Sequence, residues 1–513
     1  MNMRRALLPW IGLGLVFLSF IATGWRGVNF GKHWDEPRIM HSVVHSVENG
    51  YYFPLDYIWP SLTWDIAMAC LTPDVVKKRV CGYDPSKLAG IAGSEPFLLR
   101  VRSVFIIICA FSICWVFLAV FLAGRGTWEA LAAATLMGTS FEYAYHARWA
   151  VPDAVMAQWA ALFLVGLSLY FFQPAHREKG LLLCAVSGGL ACGTKYPGGA
   201  LLLPLSILLF LSWRGGDEQP RIGGAKVIAA LSIFCTVFLL TTPGFIKDFD
   251  QLFRELAWHV NYYAHNSAVY SVESGWDHTG RIMTYFGGVV FSHFPVVAIG
   301  FSLFFPFGLW DLKKENGRFI FAFLSFPLFY FWFFSRQEAM IVRNLLALIP
   351  FAALITARGM SMVFASTETL ISGRIMRMIL GGLLIAGFTA NVAWLWYAAE
   401  TIVQRGKIDY VQQLADFIAS RPKRSFFVSP AVAQDLSRHR TPGLANVTSQ
   451  LSPACDYSVI NTFEINSNRW KWENLWAANR FFNLEAVFGP CEVNIECYPS
   501  WLGDDRFLVL PMK

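Results

Sequence analysis

SVFIIICAFSICWVFLAVFLA, residues 103–123, holds no charged side chain from end to end. A helix of that length covers about 30 Å, the hydrocarbon thickness of a bilayer, so the stretch reads as a transmembrane helix. Outward from it, apolar runs of similar character fall at about 6–24, 128–145, 154–172, 181–194, 198–213, 227–243, 284–310, 319–335, 345–357 and 379–399, roughly eleven spans in all. The runs at 181–194 and 345–357 are short of a full crossing and are read as tilted, broken or extended by polar residues buried in the bundle. Composition agrees: 55% hydrophobic, 15% charged and a mean hydropathy of +0.44. A soluble domain would be about a quarter charged. The net charge of +7 is scattered in small groups between apolar runs, without the dense basic blocks that bind nucleic acid.

Those small basic groups read as topology signals. Arg4 and Arg5, Arg125, Arg177 and Lys179, Arg214, Arg221 and Lys226, Lys313, Lys314 and Arg318, then Arg358, Arg374 and Arg377 all fall on one side if the spans alternate. By the positive-inside rule the N-terminus is cytoplasmic. The first span is longer than a signal-peptide core of roughly 7–15 residues and is read as a retained helix. The outer face then carries the loop 25–96, the turn 146–153, Lys195, the loop 244–283, the turn 336–344 and the tail. Two units are expected: a transmembrane part, 1–400, and an extracytoplasmic α/β domain, 401–513. The tail shows a helical stretch at Asp409 to Ser420 and strand-like runs at 426–428, 457–460 and 507–510. Five cysteines lie outside the spans, so an oxidising compartment would permit disulfides Cys70–Cys81 and Cys491–Cys497.

The candidate chemistry gathers on that outer face. Asp35 and Glu36, in His33-Trp34-Asp35-Glu36-Pro37, stand just beyond the first span. Asp153, in Arg148-Trp149-Ala150-Val151-Pro152-Asp153, opens the fourth; beside Pro152 it also suits a helix start. Lys195 and Tyr196, in Gly193-Thr194-Lys195-Tyr196-Pro197, and Arg343, in Val342-Arg343-Asn344, place cations where the positive-inside rule disfavours them. The amphipathic run from Phe249 to Tyr263 reads as a helix in the membrane interface, followed by His265, a candidate for an anionic group. Carboxylates suit activation of a hydroxyl nucleophile; cations suit a phosphate and its departure. Tyr51-Tyr52-Phe53-Pro54 and Tyr57-Ile58-Trp59-Pro60 suit either sugar or lipid contact or an interfacial aromatic belt.

The order Trp34-Asp35-Glu36, Arg148 to Asp153, Gly189-Leu190-Ala191 to Lys195-Tyr196-Pro197, and Arg343-Asn344 to Pro350 with Ala357-Arg358-Gly359 resembles the landmarks of polytopic GT-C glycosyltransferases. The likeness is to the protein-mannosyltransferase and aminoarabinose-transferase-like members (glycosyltransferase family 39-like) and covers roughly residues 1–400. It implies a mainly α, GT-C-like fold in a bacterial inner (plasma) membrane. It also implies a polyprenyl-phosphate-linked sugar donor, an extracytoplasmic lipid, glycan or protein acceptor, and transfer with inversion. By carry-over, Asp35 is general base or orienter of the acceptor hydroxyl, and Glu36 and Asp153 shape the acceptor and sugar site. Lys195 and Arg343 hold the donor phosphate; from their own positions, Arg148, Tyr196 and His265 are read as further substrate-binding candidates. Some of the wider superfamily hold a divalent metal at such acids and others do not, so the resemblance leaves the metal unassigned. No β-trefoil repeat of the eukaryotic protein mannosyltransferases is present. The rival class is a secondary transporter or lipid flippase with Asp35, Glu36 and Asp153 as an ion relay, which would place them near the midplane.

Overall fold

The computed structural model describes residues 3–30, 35–81, 85–215, 222–265, 272–367, 373–405 and 410–428, with short pieces of the tail between 432 and 511. His33, Trp34 and Asp409 lie outside the described residues, as do Cys491 and Cys497. Helix α1 (Met3–Arg26) crosses first. The first loop then folds into four short helices: α2 (Glu36–Asn49), α3 (Leu62–Ala69), α4 (Thr72–Cys81) and α5 (Pro85–Ala92). Cys70 is a buried free thiol, and the Cys81 side chain lies outside the described residues. Helix α6 (Glu95–Leu122) starts at Ser94, whose hydroxyl accepts from the Phe97 N–H, with Pro96 in the first turn.

The run expected as one span at 128–145 divides into α7 (Thr127–Thr139) and α8 (Phe141–His146). Ser140 is extended between them; its hydroxyl caps α8 at the Tyr143 N–H and donates to the Val290 carbonyl (2.6 Å). Next come α9 (Pro152–Phe172) and α10 (Arg177–Thr194). An extended Lys195 and a 3-10 turn (Tyr196–Leu201) then lead into α11 (Leu202–Arg214). Helices α12 (Gly224–Leu240), α13 (Gly244–Lys247), α14 (Phe249–Ala264) and α15 (Trp276–Gly288) follow. Pro295 restarts the chain as α16 (Pro295–Ser302) and α17 (Phe304–Leu312), which splits the expected span 284–310. After α18 (Gly317–Ser335), a 3-10 turn (Val342–Leu348) runs into α19 (Ile349–Ser366), and α20 (Gly373–Arg405) precedes the tail.

Each of the eleven expected runs overlaps helix, with non-helical breaks inside 128–145 and 284–310. Among the described residues, eight segments are long and apolar enough to cross a membrane, and Gly224–Leu240 is apolar but shorter. Of the others, 128–145 is broken at Ser140 and 181–194 lies on the glycine-bearing α10.

In a bilayer, close packing of small residues substitutes for the hydrophobic effect between helices. Helices α9 and α10 meet at Gly166 and Gly180, where an added Cβ on Gly180 would lie 2.7 Å from the Gly166 carbonyl oxygen. Helices α17 and α19 meet at Gly308 and Gly359, where added Cβ atoms would lie 1.8 Å from Ile355 O and 1.9 Å from Phe304 O. At one end of the bundle Arg358 donates to Asp311 and Glu315 (both 2.9 Å), and Arg125 joins the same acids. The sequence landmark at Ala357-Arg358-Gly359 is thus a packing and ion-pair joint. It stands at the end away from Asp153, since α6 and α9 run from Arg102 and Asp153 at one end to the 123–126 and 173–176 turns at the other.

The tail holds α21 (Tyr410–Ala419) and strands β1 (Phe426–Val428), β2 (Val447–Thr448), β3 (Tyr457–Asn461), β4 (Ala486–Phe488) and β5 (Phe507–Pro511). The sheet order is β2-β1-β3-β5-β4, with β1 parallel to β2 and β3, and β5 antiparallel to β3 and β4. Leu414, Ala415 and Ile418 close over Phe426, Val428, Val459 and Val509, a core separate from that of the bundle.

Because both partners at the α17–α19 crossing are backbone, Gly359→Ala is expected to destabilise the protein by about 1–3 kcal/mol, the usual cost of overpacking. Thermal unfolding in detergent, compared with Gly382→Ala at an exposed position, checks this.

Candidate active site

Asp35 occupies the N-cap position of α2, and the next residue, Glu36, turns inward. Glu36 is buried and takes a bidentate pair from Arg102, through Nε (2.9 Å) and Nη2 (2.5 Å), together with the Ala150 N–H (3.0 Å). Arg102 also donates to the Val28 carbonyl (3.0 Å) and lies over the Phe30 ring. With its oxygens engaged this way, Glu36 ties α2 to α6 and to the turn before α9. Glu36, expected to shape the acceptor and sugar site together with Asp153, is placed by the structure in this ion pair.

Asp35 faces the other way, into an ion-pair network. Arg343 Nη2 lies 2.6 Å from Asp35 Oδ2, and its Nε lies 3.7 Å from Asp153 Oδ2. Lys195 Nζ donates to Asp153 Oδ1 and to Asn344 Oδ1, both at 2.5 Å. Asn344 Nδ2 donates to the Tyr263 hydroxyl (3.2 Å), and the Asn344 carbonyl accepts from Tyr330 (2.7 Å). Local breaks in helix make this meeting feasible. Lys195 is extended between α10 and the next 3-10 turn, which closes against α10 because Gly198 sits where a Cβ would be 2.3 Å from Ala191 O. Arg343 and Asn344 stand on the 3-10 turn before α19. Asp153 stands in the first turn of α9, after Pro152. Asp35, Asp153, Lys195 and Arg343, expected to share a face, are brought into one cluster. Asp153, Lys195 and Arg343 have side chains no more than 7% exposed, while Asp35 is 15% exposed.

The other named residues lie elsewhere. Arg148 is fully buried, donating to the Thr23 carbonyl (3.3 Å) and packed against Gly27. Its Nε and Nη1 have no hydrogen-bond partner among the described residues, and burial lowers its pKa to about 10. Tyr196 donates to the Tyr57 carbonyl (2.8 Å), linking the 3-10 turn to the first loop. His265 is exposed at the end of α14. The histidine of α14 that faces the cluster is His259. The interface-helix reading of 249–263 hid it, although its i, i+4 relation to Tyr263 marks it in retrospect.

The aromatic segments of the first loop are engaged within the protein. Tyr57 is buried with its hydroxyl on Asp248 (2.8 Å) and its N–H on Glu255, and Lys247 sits over Tyr51 (4.1 Å) and Phe53 (4.0 Å). Arg38 approaches Asp56 (3.6 Å). Along another face of α2, a cavity of about 530 Å³ opens between Pro37, Met40, His41 and Val44 and the start of α6 at Glu95 and Leu98.

A divalent ion does not fit the acids as they stand. Among the described residues no group of three or more His, Cys, Asp or Glu side chains is placed to hold one, and Arg343 fills the position between Asp35 and Asp153.

Comparison with known structures follows the fold. The apo Archaeoglobus fulgidus oligosaccharyltransferase aligns over 99% of this chain and 76% of its own, at 9% identity and a TM-score of 0.51. The oligosaccharyltransferase AglB of the same organism, in complex with an inhibitory peptide and a dolichol-phosphate, aligns over 88% of this chain and 62% of its own, at 10% identity and a TM-score of 0.50. ArnT from Cupriavidus metallidurans bound to undecaprenyl phosphate aligns over 98% of both chains, at 12% identity and a TM-score of 0.48. A comparison with curated proteins found no matching sequence. The structural likenesses are of fold, that of GT-C polytopic membrane glycosyltransferases. More particularly, residues 79–246 match the family model of dolichyl-phosphate-mannose-protein mannosyltransferases, a segment that contains Asp153 and Lys195.

Removing one partner of a buried ion pair strands the other charge. Glu36→Gln is therefore expected to cost about 3–5 kcal/mol, and Glu36→Gln with Arg102→Met to recover part of it. Unfolding of the single and double variants in detergent measures the difference.

Proposed function

We propose that the chain transfers a sugar from a polyprenyl-phosphate-linked donor to a hydroxyl of a lipid, glycan or protein on the outer face of the membrane, with inversion at the anomeric carbon. The observation that carries this reading is the cluster in which two carboxylates and two cations from four separate elements meet at one end of the bundle. A phosphate needs cations in a shielded setting, and a hydroxyl nucleophile needs a carboxylate beside them. The match to the dolichyl-phosphate-mannose-protein mannosyltransferase family and the dolichol-phosphate bound in the AglB complex support a lipid-phosphate donor.

The burial pattern divides the roles. Asp153, held by both Lys195 and Arg343, serves to aim the two cations. Asp35, the more accessible acid, acts as base. The acceptor O–H gives its proton to Asp35 as its oxygen attacks the anomeric carbon from the face opposite the phosphate. The C–O bond to phosphate breaks, its electron pair passes to the phosphate oxygen, and Lys195 and Arg343 bear the added charge. Arg148 holds the turn before α9 to the end of α1, and Tyr196 holds the turn after Lys195 to the first loop.

The connections rich in Lys and Arg lie at the opposite end, which supports an extracytoplasmic active site. Arg26 at the end of α1 pairs with Glu400 near the end of α20 (2.8 Å), so α20 leads into the tail at the active-site end. An ion relay would set its acids near the midplane; here they stand at helix ends.

Purified protein incubated with a panel of polyprenyl-phosphate sugars is expected to consume one of them, and consumption of none overturns the reading. With that donor, Asp35→Asn is expected to lower kcat by at least about 100-fold while the protein stays folded. Lys195→Met is expected to raise the donor KM by roughly 10–100-fold, the loss of one charged hydrogen bond.

A further inference from the structure

Helix α14 presents two different faces. Phe249, Phe253, Trp258 and Val260 are exposed, as suits a helix lying in the membrane interface. Gln251, Glu255, His259 and Tyr263, spaced by one turn each, line another side. Glu255 accepts from the Tyr57 N–H and from Gln251, and Tyr263 accepts from Asn344. Between those anchored neighbours, His259 Nδ1 is shielded from solvent and has no hydrogen-bond partner among the described residues.

Tyr263, packed against this ring, accepts from Asn344, which accepts from Lys195, and the ring feels the charges of Lys195 after α10, Arg38 on α2, Asp153 on α9 and Arg343 before α19. On its own helix the ring meets Tyr263 (5.0 Å) and Trp258 (6.0 Å). Lys195, Arg38 and Arg343 oppose a positive charge on the ring and Asp153 favours one, while Asp35 and Asp56 pair with Arg343 and Arg38 and Glu255 lies one turn back on the same helix. Burial first, then Lys195 and Arg38, lower the His259 pKa to about 4, so the imidazole is neutral at physiological pH. An anion entering among these cations reverses the field at the ring and supplies the missing partner.

We propose that His259 binds the phosphate that leaves the sugar and takes up a proton as that phosphate gains its second negative charge. The inference rests on the lipid-phosphate donor reading. The donor is a phosphodiester with one negative charge. When the anomeric C–O bond breaks, its electron pair stays on oxygen and the product is a monoester dianion. The acceptor's proton goes to Asp35, and the proton on His259 comes from solvent. His259 therefore distinguishes product from donor and sets how firmly the spent lipid phosphate is held.

Isothermal titration of undecaprenyl phosphate into the full-length protein in detergent tests this, run at pH 8 in buffers of differing ionisation enthalpy. The monoester's second pKa is about 6, so at that pH the ligand is already a dianion and any proton uptake belongs to the protein. The wild type is expected to take up a substantial fraction of a proton on binding. His259→Gln is expected to bind about tenfold more weakly, roughly the loss of one hydrogen bond to a charged group, and to take up almost none. The donor KM should change less than the affinity for undecaprenyl phosphate. His259→Asn, with unfolding measured alongside, guards against a folding defect. Unchanged affinity and unchanged proton uptake in a folded variant overturn the role of His259 alone. Failure of the wild type to bind undecaprenyl phosphate overturns the phosphate reading together with it.

Discussion

A charge withdrawn from water at the edge of a bilayer must find a partner or be neutralised, and the arrangement of this protein follows from that constraint. Asp153 sits on α9, Lys195 after α10, Arg343 before α19 and Asp35 at the start of α2, and none of the four elements supplies its own counter-charge. Each becomes tolerable only once the others are in place. The network is thus an assembly condition as well as the proposed reaction centre, since a bundle with one of these helix ends displaced would bury an unpaired ion.

The opposite end obeys the same rule with different residues. Arg125 before α7 and Arg358 in the middle of α19 share Asp311 and Glu315 at and just beyond the end of α17. Between the two ends, helix contact is made where glycines let backbones approach, at Gly166 and Gly180 and at Gly308 and Gly359. Apolar side chains alone would not fix the relative position of these helices in lipid. Close packing sets their lateral position, and the two charged ends set their level along the bundle.

Glu36 and Asp35 show how neighbouring residues of one type come to serve different ends. At a helix start, successive side chains point about 100° apart. Glu36 turns toward Arg102 and is consumed in holding the first loop, while Asp35 turns toward Arg343 and keeps some access to solvent. The same geometry separates His259 from His265 on α14: the first faces the cations, the second ends the helix in the open.

Much of this was legible in the chain. Apolar length marked every membrane-crossing helix, because the bilayer imposes one dimension on all of them, and alternation of patterns marked α21, β1, β3 and β5 in the tail. Asp35, Asp153, Lys195 and Arg343 were recognisable because ionisable residues beside apolar spans are rare. Other features required the tertiary structure. The break at Ser140 depends on a partner carbonyl at Val290, the capture of Glu36 on Arg102, and the role of His259 on three cations from elsewhere in the chain. Sequence records which side chains are present and the period at which they recur. Which of two adjacent acids is spent on structure is settled by contacts between residues far apart in the chain, and those exist only after the helices have packed.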